Sequence, residues 1–223
     1  MKILALETST ELCSAALWAD GKVDAREAVA GSRNSELLLP MVEALLEANR
    51  LSARDLDGVA FGSGPGAFTG VRIACGVAQG IAFGINAPVV AVGTLRALAE
   101  AANVPRVLCC LDARMGEVYH AAYEKRGDEW HEIHAPGLYR PAAVPDLPAG
   151  KWTGCGSGFA AFGEQLAQRY AGRLERVIDG LAPHAREVAT IAARRFAHGE
   201  TVDAADALPL YVRNKVALKV SER

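Results

Sequence analysis

The nine residues GSGPGAFTG, 62–70, place three glycines and a proline in five positions and then open a long uncharged run. A loop of this kind ahead of a helix could offer backbone N–H groups to an anion. A phosphate loop would also need G-K-[ST] at its end, where a lysine meets the phosphates. Here the loop ends Ala67-Phe68-Thr69-Gly70 and carries no lysine. Its G-x-G-x-G spacing also departs from the dinucleotide-binding fingerprint. The residues therefore favour a tight turn that uses glycine for its backbone freedom over a phosphate cradle.

Other groups that could do chemistry are few. Glu7-Thr8-Ser9-Thr10 puts an acid and three hydroxyls at the end of an apolar run, which is a site or a polar turn. Asp112-Ala-Arg114-Met-Gly-Glu117 groups two acids and an arginine, and reads first as a salt-bridged turn. His120, His131, His134, His184 and His198 show no ligand spacing that fits one helix, with His131 and His134 in a polar, loop-like stretch. Cys13, Cys75, Cys109, Cys110 and Cys155 are odd in number and form no C-x-x-C pair. Buried thiols in a reducing cytosol follow, rather than a disulfide framework or a zinc site. No serine–base pairing or H-E-x-x-H motif is present.

The elements that must position these residues come in a clear order. KILAL (2–6) and LCSAALWA (12–19) read as strands, and Asp20-Gly21 turns the chain into a third, 22–29. A helix is expected near 35–49, with Leu38, Met41, Val42, Leu45 and Leu46 on one face. Pro40 predicts a bend or a late start in it. Ser52 to Asp55 resembles a short capping box. VAFG (59–62) is the strand that delivers the glycine loop. Between Arg72 and Arg96 there are 23 uncharged residues, long enough for a membrane span. Asn86, Ala87, Pro88 and four glycines break that run. It reads instead as a buried helix, 68–84, a turn, and a buried strand, 89–92.

The second half opens as the first does. Residues 105–130 repeat the order of strand, terminal acid, polar turn and Ala-Ala strand seen in 2–23, which points to a duplicated unit. Residues 135–150 are proline-rich and read as a connecting loop. A strand near 152, a helix near 159–171 and a helix over 184–198 follow, then a tail of no clear role. Two units are expected, 1–103 and 104–223.

Apolar residues make up 51% and charged residues 22% of the 223, an ordinary globular balance, and the net charge is −2. A chain that grips nucleic acid alone would show a basic footprint, which is missing here. The N-terminal apolar run meets an acid at Glu7, too early for a signal peptide.

The helix after the loop says more. Gly70, Ala74, Ala78 and Ala82 form one row of small residues, and Gly76, Gly80 and Gly84 a second. Each interior glycine costs about 1 kcal/mol of helix stability against alanine. One smooth row would suffice to pack on the chain's own sheet. A second suggests a close approach by a partner helix.

LALETSTELCSAAL, SRNSELLLPMVEALL, VAFGSGPGAFTGVRIACGVAQGIAF and LDARMGEVYHAAY, in this order and spacing, resemble the bacterial TsaB (YeaZ) family. The likeness is strong over 1–123 and looser at GCGSGFAAF and LYVRNKVA, and GPGAFTGVRIA is its most specific string. It implies an α/β chain of the actin-like ATPase fold, two lobes from a duplicated unit with the second reduced. It also implies the accessory subunit that works with TsaD and TsaE in the cytoplasm. That complex moves threonylcarbamoyl from its adenylate to N6 of the adenosine following the tRNA anticodon.

Two departures bear on catalysis. Actin-like ATPases carry an Asp and a Gly in the first phosphate turn, and Glu7-Thr8-Ser9-Thr10 has neither in place. The catalytic relative TsaD binds metal through two histidines four apart, and Thr94 and Leu98 stand at the matching positions. Neither offers an imidazole to a metal. The resemblance thus implies a subunit without catalysis of its own and with no tightly bound cofactor, a nucleotide at the partner interface being left open. Its expected contacts are a heterodimer with TsaD, TsaE, a homodimer when alone, tRNA only through the complex, and no membrane. The docking surface is expected at Leu37, Leu38, Met41 and Leu45 on helix 35–49, with Phe68, Thr69, Gly70, Ile73, Val77 and Gly80 on helix 68–84. The competing reading is an active small-molecule kinase or metalloenzyme of the same fold.

Overall fold

The computed structural model describes residues 1–127 and 129–213. Strand β1 (Lys2–Glu7) pairs antiparallel with β2 (Leu12–Ala19), and β2 with β3 (Lys22–Val29) across an Asp20-Gly21 turn in which both residues have positive φ. That turn suits the twist of a two-residue hairpin. On its other side β1 pairs in parallel with β4 (Gly58–Gly62), and β4 with β5 (Val89–Val92). The resulting order is β3-β2-β1-β4-β5.

The second sheet repeats this plan. It contains β6 (Arg106–Asp112), β7 (Val118–Arg126), β8 (Glu129–Tyr139), β9 (Trp152–Cys155) and β10 (Leu174–Ile178), in the order β10-β9-β6-β7-β8. Every pairing has the sense of its counterpart, antiparallel through β6, β7 and β8 and parallel through β6, β9 and β10. The duplication read from the hairpins is therefore a duplication of whole five-stranded units. The second is reduced: where the first has helix α1 (Asn34–Ala48) between its third and fourth strands, the second has one short turn at Pro141–Ala143.

Burial on both faces explains the near-continuous apolar runs of β1, β4 and β6. Leu4 and Leu6 of β1 pack under α1 and α2 (Phe68–Ile85), while Ile3 and Ala5 pack under α5 (Ala185–Ala197). In β6, Leu108 and Cys110 pack under α4 (Ser157–Arg169), and Val107, Cys109 and Leu111 under α3 (Thr94–Ala102). So the helix that leaves the first sheet covers the second, and the helix that leaves the second returns to cover the first.

That exchange corrects the boundary expected at 103/104. Ala185, Val188, Ala189, Ile191 and Ala192 are buried against the first sheet, and a further bridge joins Val202 to Val89. Helix α5 and the bridge at Val202 therefore belong with the first sheet, while Leu181 and Val212 pack on the second. Two other expectations change. Residues 135–139, read as loop, extend β8, and α1 starts at Asn34 and continues through Pro40, with no late start. The Ser52–Asp55 box forms, the Asp55 carboxylate accepting the Ser52 N–H and hydroxyl, each at 2.7 Å. Of LYVRNKVA, the part from 214 on lies outside the described residues.

Candidate docking face

Strand β4 is buried throughout and delivers the glycine loop against the chain's own first turn. The Ala67 N–H donates to the Ser9 carbonyl at 2.7 Å, and the Thr8 hydroxyl to the Gly70 carbonyl at 2.7 Å. A Cβ on Gly66 would lie 2.5 Å from the Ser9 carbonyl oxygen, and one on Gly70 would collide with that of Thr8. From the other side, the Gly64 N–H donates to Thr94 Oγ1 at 3.1 Å and the Thr94 N–H to the Gly64 carbonyl at 2.8 Å. The space an anion would need at the start of α2 is filled by the backbone of residues 8 and 9. These residues do not fit a phosphate cradle there, and the glycines serve close packing within the chain.

Glu7 is wholly buried beneath this loop. Its Oε1 accepts the Ser9 N–H at 2.6 Å, and its other oxygen lies where a Gly62 side chain would be. Burial pushes its carboxyl above the usual carboxylate range, against hydrogen bonds from Ser9 and Thr8 that pull it down. Asp112, Arg114 and Glu117 make a salt-bridged turn, as their types suggest. Arg114 pairs with Asp112 and with Glu11, each at 3.2 Å, and Glu117 with Arg213 at 2.7 Å.

The two small-residue rows of α2 have different surroundings. Gly70, Ala74, Ala78 and Ala82 are buried on the sheet. Gly76, Gly80 and Gly84 have no atom within 4 Å of where a Cβ would stand. Between the rows, Ile73 and Val77 are half-buried against the same core as Leu37 and Met41 of α1. A smooth apolar face results: Thr69, Ile73, Gly76, Val77, Gly80 and Gly84 on α2, with Leu37, Met41, Ala44 and Ala48 on α1. Phe83, 82% exposed, stands at its edge. By length and composition α2 could cross a membrane, but here one side of it is built into the core.

Three residues expected on the docking surface lie elsewhere. Leu38 and Leu45 are wholly buried in the core beneath α1, and Gly70 is closed off by Thr8. They hold the face in place and are not part of it. Their positions on the apolar stripe of α1 could not separate inward from outward, because the whole stripe is apolar. Ala44, Ala48 and Phe83 lie on or beside the face and were missed, since single small or aromatic residues carry no pattern of their own.

Thr94, at the first matched metal-ligand position, is buried in the loop contacts just described, and Leu98, at the second, is buried in the core between α3 and the second sheet. Among the described residues no three His, Cys, Asp or Glu side chains are grouped to hold a metal ion. His134, expected in a loop, lies on β8 with its ring 5.6 Å from that of buried His120.

A family model described as TsaD, tRNA N6-adenosine threonylcarbamoyltransferase, matches residues 28–218. The chain is 39% identical to the tRNA threonylcarbamoyladenosine biosynthesis protein TsaB of Escherichia coli, over 98% of this chain and 97% of that one. The protein of the same name from Haemophilus influenzae is 33% identical over 98% and 96%. The chain belongs to the TsaB family. A solved structure of YeaZ from Pseudomonas aeruginosa superposes with a TM-score of 0.87 at 39% identity, covering 94% of this chain and 99% of that one. The TsaB fold seen here, two duplicated mixed sheets with exchanged helices, is the actin-like ATPase fold.

Proposed function

We propose that this chain is the non-catalytic subunit of the cytoplasmic complex that transfers threonylcarbamoyl from threonylcarbamoyl-AMP to N6 of the adenosine following the anticodon. The tRNAs concerned read codons that start with A. Its task is to dock on TsaD through the α1/α2 face and hold it active, with TsaE joining the assembly. The observation that carries this reading is the open glycine row, Gly76, Gly80 and Gly84, on a face without charge. Such a row costs helix stability and gains nothing inside the chain, so it fits a partner helix brought close. The filled space at the start of α2, and Thr94 and Leu98 where ligands would stand, support a subunit without catalysis of its own. In the absence of TsaD the same face would close on a second copy. A nucleotide, if one takes part, would sit at the interface with TsaD and not in the loop at 62–70.

Transfer assayed with this chain alone, TsaD and TsaE without it, and the full set tests the proposal. Activity is expected only in the full set. Transfer by this chain alone, or full activity without it, would overturn the proposal.

A further inference from the structure

Helix α2 carries a single charge, Arg72, and residues 58–99 contain no acid at all. Arg72 is exposed and makes no ion pair among the described residues. It is nonetheless held firmly. Its guanidinium carbon lies 3.7 Å from the centre of the Phe68 ring and 5.4 Å from that of Tyr211, and its Nε donates to the Tyr211 hydroxyl at 2.7 Å. Tyr211 is fixed on both sides. The Leu210 N–H donates to the Ser63 carbonyl at 2.7 Å, the Ala207 carbonyl accepts from Gln79 Nε2 at 2.9 Å, and Arg213 binds Glu117 and the Ala113 carbonyl. The tail from Ala207 to Arg213 is thus a strap that delivers one ring to one arginine.

Arginine and tyrosine are the residue types that dominate binding energy at protein interfaces, and fixing them beforehand lowers the entropy lost on docking. Phe68 covers one face of the guanidinium and the Tyr211 hydroxyl takes its Nε–H, leaving the Nη1/Nη2 end, which can take a carboxylate by two parallel hydrogen bonds. We propose that Phe68, Arg72 and Tyr211 form a pre-assembled anchor that receives an Asp or Glu side chain of the docked partner. This rests on the docking function proposed above and names what sets its specificity. The partner is a different chain and not a second copy. When two copies close α2 on α2 over the glycine row, each Arg72 meets a helix without an acid. A partner that bears a carboxylate there is selected over self-pairing.

Calorimetric titration of the purified transferase subunit into wild type, Arg72→Ala, Tyr211→Phe and the double variant tests this, with melting and self-association measured on the same samples. Arg72→Ala should weaken binding roughly tenfold to hundredfold, leaving melting and self-association unchanged. Tyr211→Phe should weaken it several-fold, and the double variant no more than Arg72→Ala, because the phenol acts through the arginine. Binding that Arg72→Ala leaves intact overturns the anchor alone. Additive losses in the double variant overturn the role given to Tyr211. Loss of self-association in Arg72→Ala overturns the choice of a different chain. Failure of wild type to bind the transferase subunit overturns the docking function and the anchor with it.

Discussion

The carbonyl of Thr8 occupies the place where a side chain on Gly70 would have to go. Ten residues further along the same helix, Gly80 faces open space. The two glycines look alike in the sequence and do different work. Gly70→Ala should cost about 1–3 kcal/mol or more, because the obstacle is backbone that has little freedom to move. Gly80→Leu should leave melting unchanged or slightly raised, since leucine favours a helix more than glycine does. It should weaken TsaD binding roughly tenfold to hundredfold by holding the helices apart. Melting and binding measured on both variants decide it. A collapse of Gly80→Leu in melting would place the second row inside the fold.

His120 sets a pH dependence. Its Nε2 lies 2.9 Å from the Tyr170 oxygen, whose own proton goes to the Pro145 carbonyl at 3.0 Å, so Nε2 carries the donor hydrogen. Nδ1 is buried with no hydrogen-bond partner among the described residues, and burial together with nearby His134 pushes the ring down to about 3. The unfolded chain, with a histidine near 6.5, then binds the proton first. Stability is full above that value and falls as pH drops from about 6.5 towards 3. Denaturant melts at pH 7 and pH 5 should differ by about 2 kcal/mol from this group. His120→Phe should flatten the difference, and an unchanged slope would count against the assignment.

Much of the fold was legible because its local signals agree with one another. Asp20-Gly21 fixed the first hairpin, and the breaks at Asn86 and Pro88 separated α2 from β5. What failed was long-range. Nothing local shows that Ala185–Ala197 crosses back to Ile3 and Ala5, because an amphipathic helix does not say which sheet it covers. Strand β8 was misread because Pro136 and Gly137 signal a loop, whereas an edge strand tolerates both. The repeat was seen, but its matched acids were not equivalent. The helices that follow β4 and β9 cover Leu4 and Leu6 in one sheet and Leu108 and Cys110 in the other. That places Asp112 opposite Thr8 in the repeat, and Glu7 opposite Leu111. On α1 and α2 the apolar stripe could not divide buried from open positions; packing did, closing Leu38, Leu45 and Gly70 and leaving Gly80 open.

Glu7 should be a cost to stability at neutral pH. Its folded value is raised by burial, so between the ordinary carboxylate range and that value the native chain holds the extra proton. Stability therefore falls as pH rises through the window. Glu7→Gln keeps the shape and an oxygen for the Ser9 N–H, and removes the charge. It should raise stability at neutral pH and lose the dependence in that window. A lower melting point at pH 7.5 would show that the ionised carboxylate is held by contacts stronger than those seen.

Binding of tRNA by this chain alone should be weak. Arg106, Lys125, Arg126 and Lys151 line a groove of about 630 Å³, but Glu124 and Glu175 line it too, and Glu124 pairs with both arginines. With a net charge of −2, few counterions would be released on contact. Filter binding at about 50 and 200 mM salt should show low affinity and a shallow slope. Tight binding with a steep slope would reveal a basic face elsewhere.

The exchange of α3 and α5 between the sheets predicts how the chain can be cut. Residues 1–103 contain all of the first sheet, α1 and α2, and look complete in sequence. Their sheet nevertheless has a second face, with Ile3, Ala5, Ala16, Ala60, Val90 and Val92, that is covered by α5. Without that cover the fragment exposes a contiguous apolar surface, and α3 loses the second sheet on which Leu95, Leu98 and Ala99 pack. The fragment 1–103 should therefore aggregate or lack a cooperative melt. Joining residues 179–213 to residues 1–93 through a flexible linker should restore one, because this gives the sheet its missing helix without the second lobe. Circular dichroism melts of the two fragments compare them directly. A cooperative melt of 1–103 alone would show that α5 covers the first sheet without being needed to hold it.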